Sequence, residues 1–313
     1  MLEAVGSVAA VLAVLLIFLF FNYPAAASVQ KIKVTDTLNR TVALKHPAVR
    51  IICLSKAHAE NITAIRGVRQ IVGVVYSTDP RWVDKRVKRL SANPTVAQMA
   101  ELRPDLVVAD IEWARGNMKI LKELDKKGVP CAVFEVPKLV AFADYIEKLG
   151  ILTGRSKEAE QALAQQENEL YKAKLRSDGR KHPGVFVLGG ADFSTCEPFS
   201  WGARIITSCG ARLVAERDLP TIDAAPWMVQ FGPEKLAEAG KNVDIIITLT
   251  GVERGVPALR ASDLTRDPRF KNLPAVKNGR IYEMKDADLN LPSLIRLEST
   301  LMKCEKIFSN RKK

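Results

Sequence analysis

Eleven side chains of this sequence are of types that recognise a bulky or anionic molecule, and all fall where apolar runs give way to polar segments. Lys56, Arg81, Arg115 and Arg204 are cations, and the guanidinium of Arg is a fork that pairs with carboxylate, catecholate or oxyanion groups. Trp82, Trp113, Trp201 and Trp227 are the four tryptophans of a chain only 6% aromatic, and with Phe193 they offer flat apolar surface. His58 and Tyr76 are side chains that ligate metals. Each has a plainer reading beside this one: a solvated surface cation, a tryptophan that caps a core, a polar residue at a helix start. Catalysis fits these residues less well. Of three histidines, His46 and His182 each precede proline outside these segments, which leaves His58 as the one candidate base. Neither Ser55-Lys56-Ala57-His58 nor Gly189-Gly190-Ala191-Asp192 is a dinucleotide fingerprint, and no phosphate-binding loop or Cys-x-x-Cys motif occurs.

The elements that hold these residues are written twice. Val49-Arg50-Ile51-Ile52-Cys53-Leu54 enters a short polar loop and then a helical pattern that ends at Gly67; Gly184-Val185-Phe186-Val187-Leu188 does the same, with its helical pattern ending at Gly210. Each half then has a Pro-led helical stretch, from Pro94 and from Pro233. Each stretch runs into an Asp-led apolar strand, Asp105-Leu106-Val107-Val108 and Asp244-Ile245-Ile246-Ile247, with Pro and Asp eleven residues apart in both. Apolar runs at Ile51, Ile71 to Val75, Leu106 to Ala109 and Cys131 to Val136 give four strands in the first half, continuous enough to be covered on both faces. A short hairpin precedes them, Val34 to Asp36 against Thr41 to Leu44. Between the halves, Leu139 to Leu149 has helical spacing, Gly150 to Gly154 breaks it, Ser156 is a plausible N-cap, and Glu158 to Leu175 predicts several turns of helix.

The expected fold is α/β: two Rossmann-like lobes with parallel central sheets, at 28–137 and 177–313, joined by one long backbone helix within 138–176. The cleft between them is lined by loops at the carboxyl ends of strands: 55–58, 76–82, 110–115 and Pro137 in the first lobe, and 189–204, 223–227 and 250–254 in the second. A single rigid link predicts little closure on a ligand.

Residues 1–27 stand apart. The uncharged apolar run Val8 to Phe21, followed by Pro24 and Ala25-Ala26-Ala27, reads as a signal peptide cut after Ala27 or, since it lacks a basic start and is nearly long enough to span, as an uncleaved membrane anchor. Either way the body is expected outside the cytoplasm, periplasmic or extracytoplasmic. The net charge of +12 suits an anionic ligand or membrane surface. No nucleic-acid-binding signature accompanies it. Of the five cysteines, Cys53 and Cys131 sit in strand patterns as small hydrophobes, and Cys196 and Cys209 are near enough in sequence to pair in an oxidising compartment.

In order, the hairpin, Arg50 to Ser55, Ile71-Val72-Gly73-Val74, the Asn93-Pro94 helix and Leu102-Arg103-Pro104-Asp105-Leu106-Val107 resemble the substrate-binding proteins of ABC importers for ferric siderophores, haem and cobalamin. Phe199 to Gly210, Pro233-Glu234-Lys235-Leu236, Asp267-Pro268-Arg269-Phe270 and Leu273-Pro274-Ala275-Val276-Lys277-Asn278-Gly279-Arg280-Ile281-Tyr282 continue the resemblance across about residues 33–310. It implies two lobes, a long backbone helix, and binding without catalysis or a resident cofactor. The implied ligand is a metal chelate, a ferric siderophore first, with cobalamin, haem or molybdate and tungstate as alternatives; a metal-cluster or chelatase-type enzyme on a similar scaffold is the rival. The implied partners are the transmembrane subunits of a permease, met by a monomeric receptor through an acid on each lobe. Glu234 matches in the second lobe, whereas Ala97 stands at the corresponding place in the first, with Gln98 and Glu101 nearby.

Overall fold

The computed structural model describes residues 32–135, 141–216, 218–222, 225–252 and 255–309. The N-terminal signal or anchor, Pro137, and parts of the 223–227 and 250–254 loops lie outside the described residues. The chain enters through the hairpin of β1 (Ile32–Thr35) and β2 (Thr41–Leu44), antiparallel, with its turn closed by Asn39 at φ 57°. The first sheet follows: β3 (Ile51–Cys53), α1 (Lys56–Ala64), β4 (Ile71–Val75), β5 (Lys88–Leu90), α2 (Val96–Ala100), β6 (Leu106–Asp110), α3 (Ile111–Gly116), α4 (Met118–Lys126) and β7 (Cys131–Phe134). Its strands lie in the order β5-β4-β3-β6-β7, all parallel. Two helices cross to the second sheet, α5 (Phe142–Thr153) and the 22-residue α6 (Ser156–Ser177).

The second half holds β8 (Gly184–Leu188), β9 (Ser194–Cys196), α7 (Trp201–Ser208), β10 (Arg212–Leu213), β11 (Thr221–Ile222), β12 (Ala225–Gln230), α8 (Pro233–Glu238), β13 (Ile245–Thr250), α9 (Ala261–Arg266), α10 (Pro274–Lys277), β14 (Ile281–Lys285), α11 (Asp286–Leu289) and α12 (Leu294–Ser309). The order β10-β8-β13-β14 is again parallel, and β11-β12-β9 form an antiparallel side sheet.

Alternation along each strand sorts its residues between two cores, because successive side chains leave opposite faces. Ile51, Cys53, Leu106 and Val108 face a core shared by both lobes, while Ile52, Leu54, Val107 and Ala109 face one private to the first. In the second lobe Val185, Val187, Ile245 and Ile247 join the shared core and Phe186, Leu188 and Ile246 a private one. The shared core continues through Phe142, Tyr145, Ile146, Leu170 and Ala173 of the connecting helices. One continuous apolar mass therefore backs both sheets, which gives the expected stiffness between lobes a physical cause beyond the connecting helix itself.

The repeated Asp has one job in both lobes. Asp105 accepts from the backbone N–H of Val49 (2.9 Å) and Arg50 (2.8 Å), and Asp244 accepts from that of Gly184 (2.8 Å), so each pins the start of the neighbouring strand. The equal spacing from Pro conceals a difference: Pro233 is the first residue of α8, while Pro94 precedes the N-cap Thr95, whose side chain forms a capping box with Gln98.

Three details depart from the sequence reading. The first sheet has five strands among the described residues, because Lys88-Arg89-Leu90, a short edge strand with only Leu90 buried, carries no apolar signal. Helix α5 continues through Gly150 to Thr153 and ends at Gly154 with φ 66°, because Gly150 lies too close to Ala159 and Ser156 of α6 to carry a side chain. Ser156 is therefore inside α6, with Arg155 at the cap.

Candidate ligand-binding cleft

Strand order reverses between β3 and β6 in the first sheet and between β8 and β13 in the second, and the carboxyl ends beside such a switch are where α/β sheets hold ligands. In the first lobe these ends deliver Ser55 and Lys56, the latter half-buried as the first residue of α1, and Asp110, which caps α3 by accepting from the Trp113 N–H at 2.8 Å. In the second they deliver 189–193 and the segment after Thr250, held together where the Ala191 N–H donates to the Pro257 carbonyl at 2.8 Å. Gly190 is required there, since a Cβ would stand 2.7 Å from Val256 and 3.0 Å from the Pro257 carbonyl.

Three of the expected residues come together after β4. Tyr76 is, among the described residues, the most exposed large hydrophobic side chain at 72%, on a loop tied down by Arg89 of β5, whose guanidinium donates to the Tyr76 and Thr78 carbonyls. Arg81 and half-buried Trp82 follow on a short 3-10 turn, the guanidinium lying over the indole at 5.2 Å. Arg81 also makes a two-pronged pair with Asp79, at 2.6 and 3.0 Å, and this hydrogen bonding holds the Asp79 carboxyl down at about 2. An anionic ligand reaching Arg81 thus competes with a carboxylate already in place. Trp227 is half-buried on β12, its carbonyl accepting from the Glu197 N–H at 2.8 Å. Arg115 is exposed on α3 and paired with Glu112 at 3.0 Å.

The other candidates belong to the packing. His58 is fully buried against Phe134 and Tyr145, with Nδ1 2.7 Å from the Tyr145 hydroxyl, and burial lowers its pKa to about 4. It is a neutral core histidine and not a metal ligand. Trp113 is 8% exposed in the private core of the first lobe, and Trp201, at 4%, packs on Phe142 of the connector with ring centroids 4.9 Å apart. Arg204 pairs with Glu167 of α6 at 2.6 Å, one turn along α7 from Trp201, so that face of α7 meets the connector and not the strand-end loops. Phe193, at φ 51°, lies against Phe270 of the second private core. Loop position in the sequence does not reveal which way a side chain leaves the backbone, and the four misplaced residues on helices, His58, Trp113, Trp201 and Arg204, sit on their inward faces.

The sequence reading also missed the polar junction where α1 meets α12. The fully buried Glu60 carboxylate of α1 accepts from Arg296 Nε and Nη2, both at 2.6 Å, and from Ser293 Oγ at 2.7 Å. Arg296 Nη1 donates to Asp288 (3.1 Å), which also accepts from Lys303 (2.6 Å), and Arg296 Nη2 lies 3.5 Å from Asp79. Asn61 adds a bond to the Pro292 carbonyl at 2.9 Å and accepts from the Leu294 N–H at 3.0 Å. Glu60, Asp79 and Asp288 balance Arg81, Arg296 and Lys303 in charge, and Arg81 and Lys303 are the ends of the chain that reach solvent. Exposed Phe199, 61% accessible just before α7, is a further aromatic that went unselected. Among the described residues no group of three or more His, Cys, Asp or Glu side chains gathers as metal ligands would, and no helix is long and apolar enough to cross a membrane.

The cysteines correct one expectation. All five are buried and free. Cys196 donates to Asn290 Oδ1 at 3.3 Å, while Cys209 donates to the Leu301 carbonyl at 3.6 Å. The eight residues of α7 stand between them, roughly 12 Å of helix, which rules out a Cys196–Cys209 bridge.

Comparison with known proteins agrees with this geometry. Residues 51–287 match the family model described as periplasmic binding protein. YvrC of Bacillus subtilis (strain 168), an uncharacterized ABC transporter substrate-binding lipoprotein, is 26% identical over 267 residues, covering 82% of this chain and 79% of that protein. A possible iron-binding, periplasmic solute-binding protein from Staphylococcus epidermidis shares the fold with a TM-score of 0.69 at 22% identity, over 85% of this chain and 100% of its own. So does the siderophore-binding protein BauB, in complex with two acinetobactin molecules and ferric iron, with a TM-score of 0.66 at 18% identity, over 90% and 99%.

Proposed function

This chain belongs to the periplasmic binding protein family, its matched segment taking in both sheets, and we propose on that footing that it is the extracytoplasmic substrate-binding protein of an ABC importer. It captures a metal chelate, a ferric siderophore first, between the strand ends of the two lobes and releases it to the permease without chemical change. The observation that carries this reading is the Tyr76, Arg81 and Trp82 loop: an exposed phenol, a cation and a half-buried indole on one short segment beside the switch point. A flat, anionic chelate matches all three, through stacking and through the guanidinium fork. Trp227, Arg115 and Phe199 are the residues we place around it, with Lys56 at the start of α1. Residues 1–27 are the export signal or the membrane anchor, and the receptor is a monomer.

Two tests separate capture from delivery. Titration of residues 28–313 with ferric siderophores, haem, cobalamin and molybdate, followed by tryptophan fluorescence, is expected to give saturable quenching with one ferric chelate. Quenching should weaken at least tenfold in Arg81→Ala; an unchanged affinity there removes Arg81 from the site, and silence across the panel removes the chelate reading. For delivery, Glu234 sits at the second residue of α8 with its side chain 73% exposed, 3.3 Å from Arg269, at the position that Ala97 occupies in α2. Glu234→Lys is expected to impair uptake by cells with binding affinity intact; equal loss of both would show that the acid serves the fold.

A further inference from the structure

Cys209 and Cys304 lie together on the side of the second lobe away from the strand ends. Cys209 caps the C-terminus of α7 and donates to the Leu301 carbonyl of α12 at 3.6 Å. In a helix that carbonyl lies beside the residue three positions on, which here is Cys304. The two thiols are in side-chain hydrogen-bond contact, about 95 residues apart in sequence. Both belong to the shared core, at 5% and 0% exposure, yet Cys209 also lines a cavity of about 360 Å³ bounded by Arg180, Pro183, Gly210, Arg280 and Phe308. The other three cysteines are placed differently: Cys196 is engaged by Asn290, Cys53 lies within strand β3 and Cys131 within β7.

We propose that Cys209 and Cys304 are a disulfide-forming pair that staples the C-terminal helix α12 to α7 of the second lobe. The oxidant is a small disulfide. Cys209, the thiol reached from the cavity, attacks it as the thiolate, forms a mixed disulfide and expels one thiol. Cys304 then attacks the Cys209 sulfur, closes the protein S–S bond and expels the second thiol. Two protein S–H bonds are lost and two donor S–H bonds gained, so electrons and protons balance. The location proposed above supplies such an oxidant in the cell, and the measurement below is made in vitro so that failure of that location and failure of the pairing are told apart.

The test is refolding of the reduced full-length chain in a mixture of oxidised and reduced glutathione, followed by thiol counting in denaturant and mapping of cross-linked peptides. The expected result is three free thiols of the five, loss of the mass of two hydrogens, and one cross-link joining Cys209 to Cys304. Reductant should then lower the melting temperature by about 5–10 °C, since the bridge closes a long loop in the unfolded chain. Cys304→Ser should keep four thiols and show no reductant-dependent melting. Five thiols in the refolded wild-type chain, or a cross-link that includes Cys53, Cys131 or Cys196, would overturn the proposal. The count is made on the wild-type chain, so it stands whether or not the serine variant folds.

Discussion

Helices α1 and α7 occupy the same place in the two halves, each following the first strand of its sheet, and both pack on α12, yet they hold it by opposite means. Helix α1 buries His58, Glu60 and Asn61 and grips the start of α12 through the Glu60–Arg296 pair and the Asn61 bonds. Helix α7 buries Trp201, Ala203, Ile205 and Ile206, and meets α12 through apolar contact and the Cys209–Leu301 bond. The C-terminal helix is thus held by α7 through non-directional packing and keyed to α1 by directional, charge-assisted bonds. Packing tolerates small slides, whereas a bidentate pair fixes an angle. The difference teaches that the relation between the lobes is set at the polar contact, one outer end of which, Arg81, lies among the proposed ligand residues.

The largest expected effect comes from breaking that key. Glu60→Ala takes from the Arg296 guanidinium, 7% exposed, its two shortest bonds and leaves it Asp288 at 3.1 Å and Asp79 at 3.5 Å, and should lower unfolding stability by about 3–5 kcal/mol. Chemical denaturation measures it, and a loss below 1 kcal/mol would show that water repairs the junction and that the lobes are held by the shared core alone. Glu60→Leu with Arg296→Met sharpens the comparison: it makes the first-lobe contact as apolar as that of α7. Stability is expected to return while the ligand affinity does not.

Next in size is the histidine on the same helix. The folded-state pKa of His58 is lowered to about 4 from 6.5, so the unfolded chain binds the proton first as pH falls. Its contribution is therefore whole above about pH 6.5 and is lost between 6.5 and 4, the loss amounting to about 3 kcal/mol by the low end. The difference in stability between wild type and His58→Gln should be flat above pH 7 and slope below it. A difference that stays level down to pH 4 would mean that the imidazole takes up its proton alike in the folded and the unfolded chain. Helix α7 buries no ionisable side chain, and no such slope is expected from its substitution.

Much of this was legible in the sequence and part was not, for reasons that divide cleanly. The doubled pattern of apolar strand, helix and Asp-led strand gave the parallel sheets because both faces of those strands are covered, and continuous apolar runs have few other uses. Strand β5 escaped because an edge strand of Lys, Arg and Leu buries one residue in three. The site was legible as a set of loops and illegible as a set of faces. Tyr76, Arg81 and Trp82 stay at the surface or half-buried because their loop is short and pinned by Arg89, whereas His58 is buried because α1 begins at Lys56, which turns the third helical residue inward. The Glu60–Arg296 pair, 236 residues apart, had one local trace: an acid within Ala57-His58-Ala59-Glu60, among residues too small to sit on a solvent face.

The smallest effect separates the halves where they agree best. Asp105 holds two strand-initiating N–H groups and Asp244 one, so Asp105→Ala should cost about 2 kcal/mol and Asp244→Ala about 1. The surroundings explain why one bond suffices in the second lobe. Arg50, just before β3, has a guanidinium that donates to the Leu102 and Arg103 carbonyls, while Gly184 at the matching place of β8 brings the backbone so close to the Asn242 carbonyl that a Cβ would stand 1.8 Å from it. Contact between main chains replaces the second hydrogen bond. Gly184→Ala should therefore be far more damaging than Arg50→Ala, although the two residues stand where equivalent strands begin. Equal losses at Asp105 and Asp244 would show that the clamps are interchangeable and that the close approach at Gly184 carries no share of the load.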